Sequence, residues 1–183
     1  MRFSSCLLFA LAMGLTCLTT LRNSARHAPM RLTRGLAYSL LMGITHALML
    51  LGGMWLASLW RFQAGSLDTY VFVGIMLLLA AKLALGLFDK KNAEAAYDIA
   101  RPSTFLLLCI ALGINSLIGG MALGFLTTLP QGWLMASLPL LLLVLLLSYV
   151  GIMLGRRDIA IRQRRWGLFS ILFLLVTVFV NLL

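Results

Sequence analysis

Few side chains in this sequence could do chemistry, and most of those that could lie inside long apolar runs. His46 follows Gly43-Ile44-Thr45 in one such run. An imidazole in hydrocarbon needs a partner or a water-filled cavity. Given one, it could ligate a soft or borderline metal or carry a proton, and otherwise it simply bonds a backbone carbonyl. Lys82, in Leu79-Ala80-Ala81-Lys82-Leu83-Ala84, is the one ammonium inside a run. It sits about two turns from the end of that run, so snorkelling of its stem toward the interface is preferred to direct contact with a solute. Ser148, Tyr149, Thr177 and Asn181 could line a polar seam or make bonds between helices. Cys6, Cys17 and Cys109 have no metal-ligand or disulfide spacing and read as small packing residues, as do the scattered methionines.

The acids are placed differently. Asp68, Asp89, Glu94, Asp98 and Asp158 all fall between the runs or at their ends. Hard divalent cations favour oxygen ligands that usually include carboxylates, and proton-coupled antiport usually needs a titrating acid. No nucleophile–base pair, glycine-rich phosphate loop or HExxH element is present, so an enzyme reading has no support and no cofactor is implied.

An internal repeat singles out two further polar residues. At an offset of 99 residues, Leu7–Leu18 lies against Leu106–Leu117 with the shared core Ala-[Met/Leu]-Gly-[Leu/Ile]-[Thr/Asn]-[Cys/Ser]-Leu, and Gly52 falls on Gly151. Leucine matches carry little weight, but the conjunction of Ala, Gly, small polar and small side chains does. Thr16 and Asn115 occupy equivalent places, beside Gly14 and Gly113, which permit close helix approach.

The elements that must hold these residues follow from composition. The chain has 183 residues, 62% hydrophobic and 11% charged, too few charges for the shell of a soluble domain. Apolar runs lie at about 4–21, 36–60, 69–88, 103–128, 132–154 and 166–183, each near the roughly 20 residues that cross a bilayer. Helices are required, because lipid offers backbone groups no partner and nothing alternates like barrel strands. The expected fold is therefore all-α, a polytopic bundle of six transmembrane helices. Three per half makes the repeat inverted, with one unit over 1–92 and the other over 93–183, an arrangement common in secondary transporters. The first run is read as an uncleaved helix, since residues 20–26 offer no convincing cleavage site. Thr127–Gly132 is expected to be a tight uncharged hairpin.

The net charge of +10 also follows the runs. Arg22, Arg26, Arg31 and Arg34 lie in the 1–2 connection, Lys90, Lys91 and Arg101 in the 3–4 connection, and Arg156, Arg157, Arg162, Arg164 and Arg165 in the 5–6 connection. The opposite side has Arg2 and Arg61. The positive-inside rule puts the basic loops in the cytoplasm, against anionic lipids, and both termini outside. Charge so distributed serves the lipid bilayer and not nucleic acid; self-association into a homo-oligomer stays open.

The chain resembles the bacterial manganese efflux pumps (MntP), small six-helix inner-membrane proteins with inverted three-helix halves. The resemblance is clearest in Ala111-Leu112-Gly113-Ile114-Asn115-Ser116 with Gly120, Leu123 and Phe125-Leu126, and in Gly151-Ile152-Met153-Leu154-Gly155-Arg156. The segments around Ala12-Met13-Gly14 and Leu79–Phe88 also fit. It implies an inner-membrane efflux transporter working by alternating access around a midplane polar site. The family's first-helix aspartate falls on Thr16, its second-helix glutamate on His46, its fourth-helix aspartate on Asn115 and its third-helix arginine on Lys82. Thr16, His46, Asn115 and Lys82 are thus the expected solute pathway, with His46, Asn115 and Thr16 the metal ligands if a divalent metal is carried. All three acids are replaced, which leaves open a softer metal, an anionic or zwitterionic solute, or a membrane protein that has kept the fold and lost the site.

Overall fold

A computed structural model describes residues 3–27, 31–64, 67–88, 97–126, 130–157 and 163–182. They form six α-helices: α1 (Phe3–His27), α2 (Leu32–Ala64), α3 (Asp68–Phe88), α4 (Pro102–Leu126), α5 (Pro130–Arg156) and α6 (Gln163–Leu182). Each is long and apolar enough to cross a membrane, and no strand occurs among the described residues. The chain is a multi-pass membrane protein, as composition requires.

The helices overrun the apolar runs at their ends. α1 continues beyond residue 21 to His27, and its last turns are buried: Arg22, Ser24 and Ala25 are covered. The covering element is α5, where a Cβ added at Gly155 would meet the Arg22 carbonyl and lie 2.8 Å from the Ala25 Cβ. A glycine opposite lets polar backbone continue as helix under protein cover. α5 begins at Pro130, inside the expected hairpin, where a first-turn proline gives up only an N–H that has no helical partner. Residues 127–129 of that hairpin lie outside the described residues. Pro139 is carried within α5, as membrane helices allow when neighbours re-satisfy the freed carbonyl.

Packing is cross-wise. The extensive contacts pair a helix from α1–α3 with one from α4–α6: α1 with α5 and α6, α2 with α4 and α5, α3 with α4 and α6. α1 is the most buried helix, whereas α3 and α6 turn most of their surface outward. The interior is built from Phe9, Met13, Cys17, Leu50, Met54, Phe72 and their neighbours, and leucines such as Leu48, Leu107 and Leu142 face out. With lipid as apolar as leucine, close packing and interhelical bonds hold such a bundle. One of these bonds runs from Ser170 Oγ on α6 to the Ala12 carbonyl on α1 (2.7 Å). Another contact stacks Tyr38 of α2 on Phe105 of α4, centroids 4.0 Å apart.

Two helix pairs make matching contacts. A Cβ at Gly151 of α5 would lie 2.6 Å from the Leu18 carbonyl oxygen on α1, and a Cβ at Gly53 of α2 would meet the Leu117 carbonyl on α4. Likewise Gly155 faces the Cβ of Ala25, and Gly124 faces the Cβ of Ala57 at 2.6 Å. Gly52, set against Gly151 by sequence, faces open space. Gly53 takes that place instead, a one-residue difference that turns the helix by about 100° and so decides which glycine meets the neighbour.

Candidate functional site

Several polar residues of the apolar runs gather on a cavity and on a buried cluster behind it, whereas Thr177 and Asn181 bond to carbonyls of their own helix. The cavity has a volume of about 350 Å³ and is lined by Thr16, Thr19, Thr20, Lys82, Leu83, Gly86, Leu87, Tyr97, Leu112, Asn115 and Gly167. Those residues come from the C-terminal halves of α1 and α3, the first half of α4, the start of α6 and the Tyr97 segment before α4. All of these lie toward the end of the bundle that carries the 1–2, 3–4 and 5–6 connections.

α1 supplies hydroxyls because Thr16, Thr19 and Thr20, three and four residues apart, share a helix face. Their hydrogens are spent on their own backbone: Thr16 Oγ1 donates to the Met13 carbonyl (2.6 Å), Thr19 Oγ1 to the Leu15 and Thr16 carbonyls (3.2 and 3.0 Å), and Thr20 Oγ1 to the Thr16 carbonyl (2.9 Å). What the hydroxyls keep is oxygen lone pairs. The opposite wall supplies donors. Lys82 Nζ on α3 donates to Asn115 Oδ1 on α4 (2.7 Å). The ammonium is therefore directed to the amide and not along its own helix toward the interface. Because the carbonyl side of the amide faces the ammonium, its Nδ2 hydrogens are left for other acceptors. At the mouth, the Tyr97 backbone N–H donates to Ser24 Oγ (3.2 Å), tying the segment before α4 to α1.

The cluster behind the cavity centres on His46, which is fully buried. Its Nδ1 lies 2.6 Å from Ser116 Oγ and its Nε2 lies 3.3 Å from Cys17 Sγ. A neutral imidazole donates from one ring nitrogen and accepts at the other, so it satisfies both partners at once. Cys17 and Ser116 each follow a cavity residue, Thr16 and Asn115, and one step along a helix turns a side chain by about 100°. The same two helices thus show one polar face to the cavity and a second to the histidine.

Of the four residues expected from sequence, Thr16, Lys82 and Asn115 come together on one cavity, and His46 does not line it. The His46 ring nitrogens are instead engaged with the neighbours of Thr16 and Asn115 on their helices, Cys17 and Ser116. Among the described residues no group of three or more His, Cys, Asp and Glu side chains could hold a metal ion. Sequence reasoning did not single out Cys17, which read as packing, or Ser116, which entered only as a small residue of the repeat, or Thr19 and Thr20, whose signal was the spacing they share with Thr16.

One to two turns beyond Asn115 on α4, a Cβ at Gly119 would run into the ring of Phe9, which fills the space between α1 and α4 and is fully buried.

Residues 29–180 match a family model described as "Mntp: Putative manganese efflux pump". The match takes in α2–α6, with His46, Lys82 and Asn115, and begins after α1, so the pairing of Thr16 with Asn115 stands on the internal repeat. No curated protein and no solved structure matches the chain.

Proposed function

Because the chain belongs to the MntP family of manganese efflux pumps, a family of transporters and not of enzymes, we propose that it is an inner-membrane exporter that carries a solute by alternating access through the Thr16–Lys82–Asn115 cavity. The observation that carries the reading is the cavity between helices of the two halves, with Lys82, Asn115 and three threonines among its lining residues; in this reading Phe9, packed on Gly119, closes the end away from the basic connections. A polar pocket inside a bundle of lipid-facing leucines is costly unless solute or water uses it.

The inverted repeat supplies the mechanism. Exchanging α1, α2, α3 with α4, α5, α6 maps the extensive contacts onto one another: α1–α5 onto α2–α4, and α1–α6 onto α3–α4. The matched glycine contacts support the same exchange. A structure with two equivalent halves has a second arrangement of similar energy, in which the halves swap roles and the opposite end opens. In that arrangement Leu108, which the repeat sets against Phe9, takes the closing position. In this reading the positive-inside rule turns the end of the bundle toward which the cavity lies to the cytoplasm and both termini outside, the orientation an exporter needs to load its cargo.

Two measurements test the reading. Thr20→Cys, in a chain whose own Cys6, Cys17 and Cys109 are buried, should react with an impermeant maleimide from the cytoplasmic face of inverted vesicles. The reading fails if it is unreachable from either face. The family's cargo, manganese, is tested separately: cells lacking and cells overproducing the protein should differ in manganese content and tolerance, and equal values remove that cargo. If the protein has kept the fold without the function, Thr16→Ala, His46→Ala and Asn115→Ala will leave any export phenotype intact.

A further inference from the structure

We propose that the cargo of this cavity is a small solute bearing an oxyanion, such as a carboxylate or phosphate group, recognised by Lys82 and Asn115. The inference rests on the exporter reading and concerns only what is carried. It begins with the hydrogen bonds left over. An ammonium has three donors, and Lys82 spends one on Asn115 Oδ1 (2.7 Å). The others, with the Nδ2 hydrogens of Asn115, form a charged and a neutral donor side by side on one wall. Carboxylate and phosphate oxygens are the acceptors such a pair binds best, since charge-assisted bonds are about twice as strong as neutral ones.

A divalent cation meets the opposite conditions. The described lining residues include an ammonium and no carboxylate, so the nearest full charge repels it. The three positions that the family resemblance assigns to acids hold Thr16, His46 and Asn115, and His46 is engaged with Ser116 and Cys17 outside the lining. Size points the same way. A cavity of about 350 Å³ falls at the lower end of the range for small organic ligands, roughly 300–1,000 Å³. It is far larger than the few coordination distances around a bare ion.

The end of the bundle toward which the cavity lies is basic on balance, although the exposed Asp98, beside Tyr97, is also there and pairs with Arg101. Arg26 at the end of α1, Arg31 and Arg34 at the start of α2, and Arg156 and Arg157 at the end of α5 stand at the end of the bundle toward which the cavity lies, and all are exposed. An excess of positive charge near a cleft raises the local concentration of counter-charged solutes. The α1 wall complements this with hydroxyl oxygens that can accept from a hydroxyl or amino group elsewhere on the solute, while Leu83, Leu87 and Leu112 cover its carbon atoms.

The test is thermal unfolding of the purified full chain in detergent, at matched ionic strength, with sodium phosphate, malate, glycine or manganese chloride as probes. A ligand that binds only the folded form raises the apparent melting temperature. Malate or phosphate should raise it and manganese should not; a rise with glycine as well marks a zwitterion carrier, and its absence a carrier of net anions. Lys82→Gln should weaken oxyanion binding at least tenfold and Lys82→Arg should keep it. Asn115→Asp should also lose it, because the new carboxylate occupies the ammonium, and monodisperse elution and an intact helical spectrum would show that this variant folds. A rise with manganese alone, no rise with any oxyanion, or undiminished oxyanion binding by a folded Lys82→Gln or Asn115→Asp overturns the inference. The exporter reading is judged separately by the Thr20→Cys labelling, which needs no ligand.

Discussion

Replacing Gly151 by alanine adds one methyl group at a close backbone contact between α1 and α5. The new Cβ would lie 2.6 Å from the Leu18 carbonyl oxygen and 3.0 Å from its Cα, where ordinary contact begins at 3.4 Å. The obstacle is backbone, so no rotamer change relieves it and the helices must part locally by about 0.8 Å. A gap of that size forfeits a quarter to a half of the dispersion energy of each contact it opens. Overpacking of this kind costs roughly 1–3 kcal/mol. Alanine's higher helix propensity returns up to about 1 kcal/mol, so Gly151→Ala should lose about 1 kcal/mol net. Gly53→Ala, which drives its methyl into the Leu117 carbonyl, should lose at least as much. Gly52→Ala meets nothing within 4 Å and should be neutral or slightly stabilising. At roughly 2–4 °C per kcal/mol for a chain of this size, Gly52 and Gly53 variants should differ by several degrees in thermal unfolding. Equal melting temperatures for Gly52→Ala and Gly53→Ala, or a stabilised Gly151→Ala, would refute both the close approach and the register in which Gly53 matches Gly151.

Two further perturbations address the closed end and the buried cluster. Phe9→Ala should cost about 3–5 kcal/mol, as large-to-small changes in a packed interior do, and should open the far end, so that a Thr16→Cys reporter labelled from one face of the membrane becomes labelled from both; unchanged one-sided labelling would remove Phe9 as the closing residue. His46→Ala strands the buried Ser116 hydroxyl at a cost of roughly 1–3 kcal/mol, and adding Ser116→Ala should recover part of it, with a coupling of at least about 0.5 kcal/mol in a double-mutant cycle. Strict additivity of the two changes would mean that the 2.6 Å contact between them carries no energy.

The bundle was legible in the sequence because lipid imposes one rule on all six helices: about 20 apolar residues and no unpaired backbone. The helix ends were less legible, because hydropathy marks where lipid stops and not where protein cover stops. α1 runs on through Arg22 and Ala25 because Gly155 lies opposite them, a fact located more than a hundred residues away in the chain. The repeat expected from sequence rests on α1 and α4, where small and polar residues coincide. In α2, Gly52-Gly53 offers two adjacent candidates for a close contact, and packing shows that Gly53 is the one that meets a neighbour.

The site divides along the same line. Thr16, Lys82 and Asn115 stood out because a polar group in an apolar run needs a reason to be there. Cys17 and Ser116 did not, since small residues in a membrane helix are already explained by close packing. Their role depends on His46, which another helix inserts between them. More consequential is what the bonds consume. From sequence, three threonines, an asparagine, a lysine and a histidine are interchangeable polar groups that could serve a cation or an anion. Once the threonine hydrogens are spent on carbonyls, the asparagine oxygen on the lysine and the histidine on its two neighbours, the charged group left at the cavity wall is an ammonium with donors to spare. The chemistry of a membrane site is set by that remainder, and here the remainder has the sign that attracts an anion.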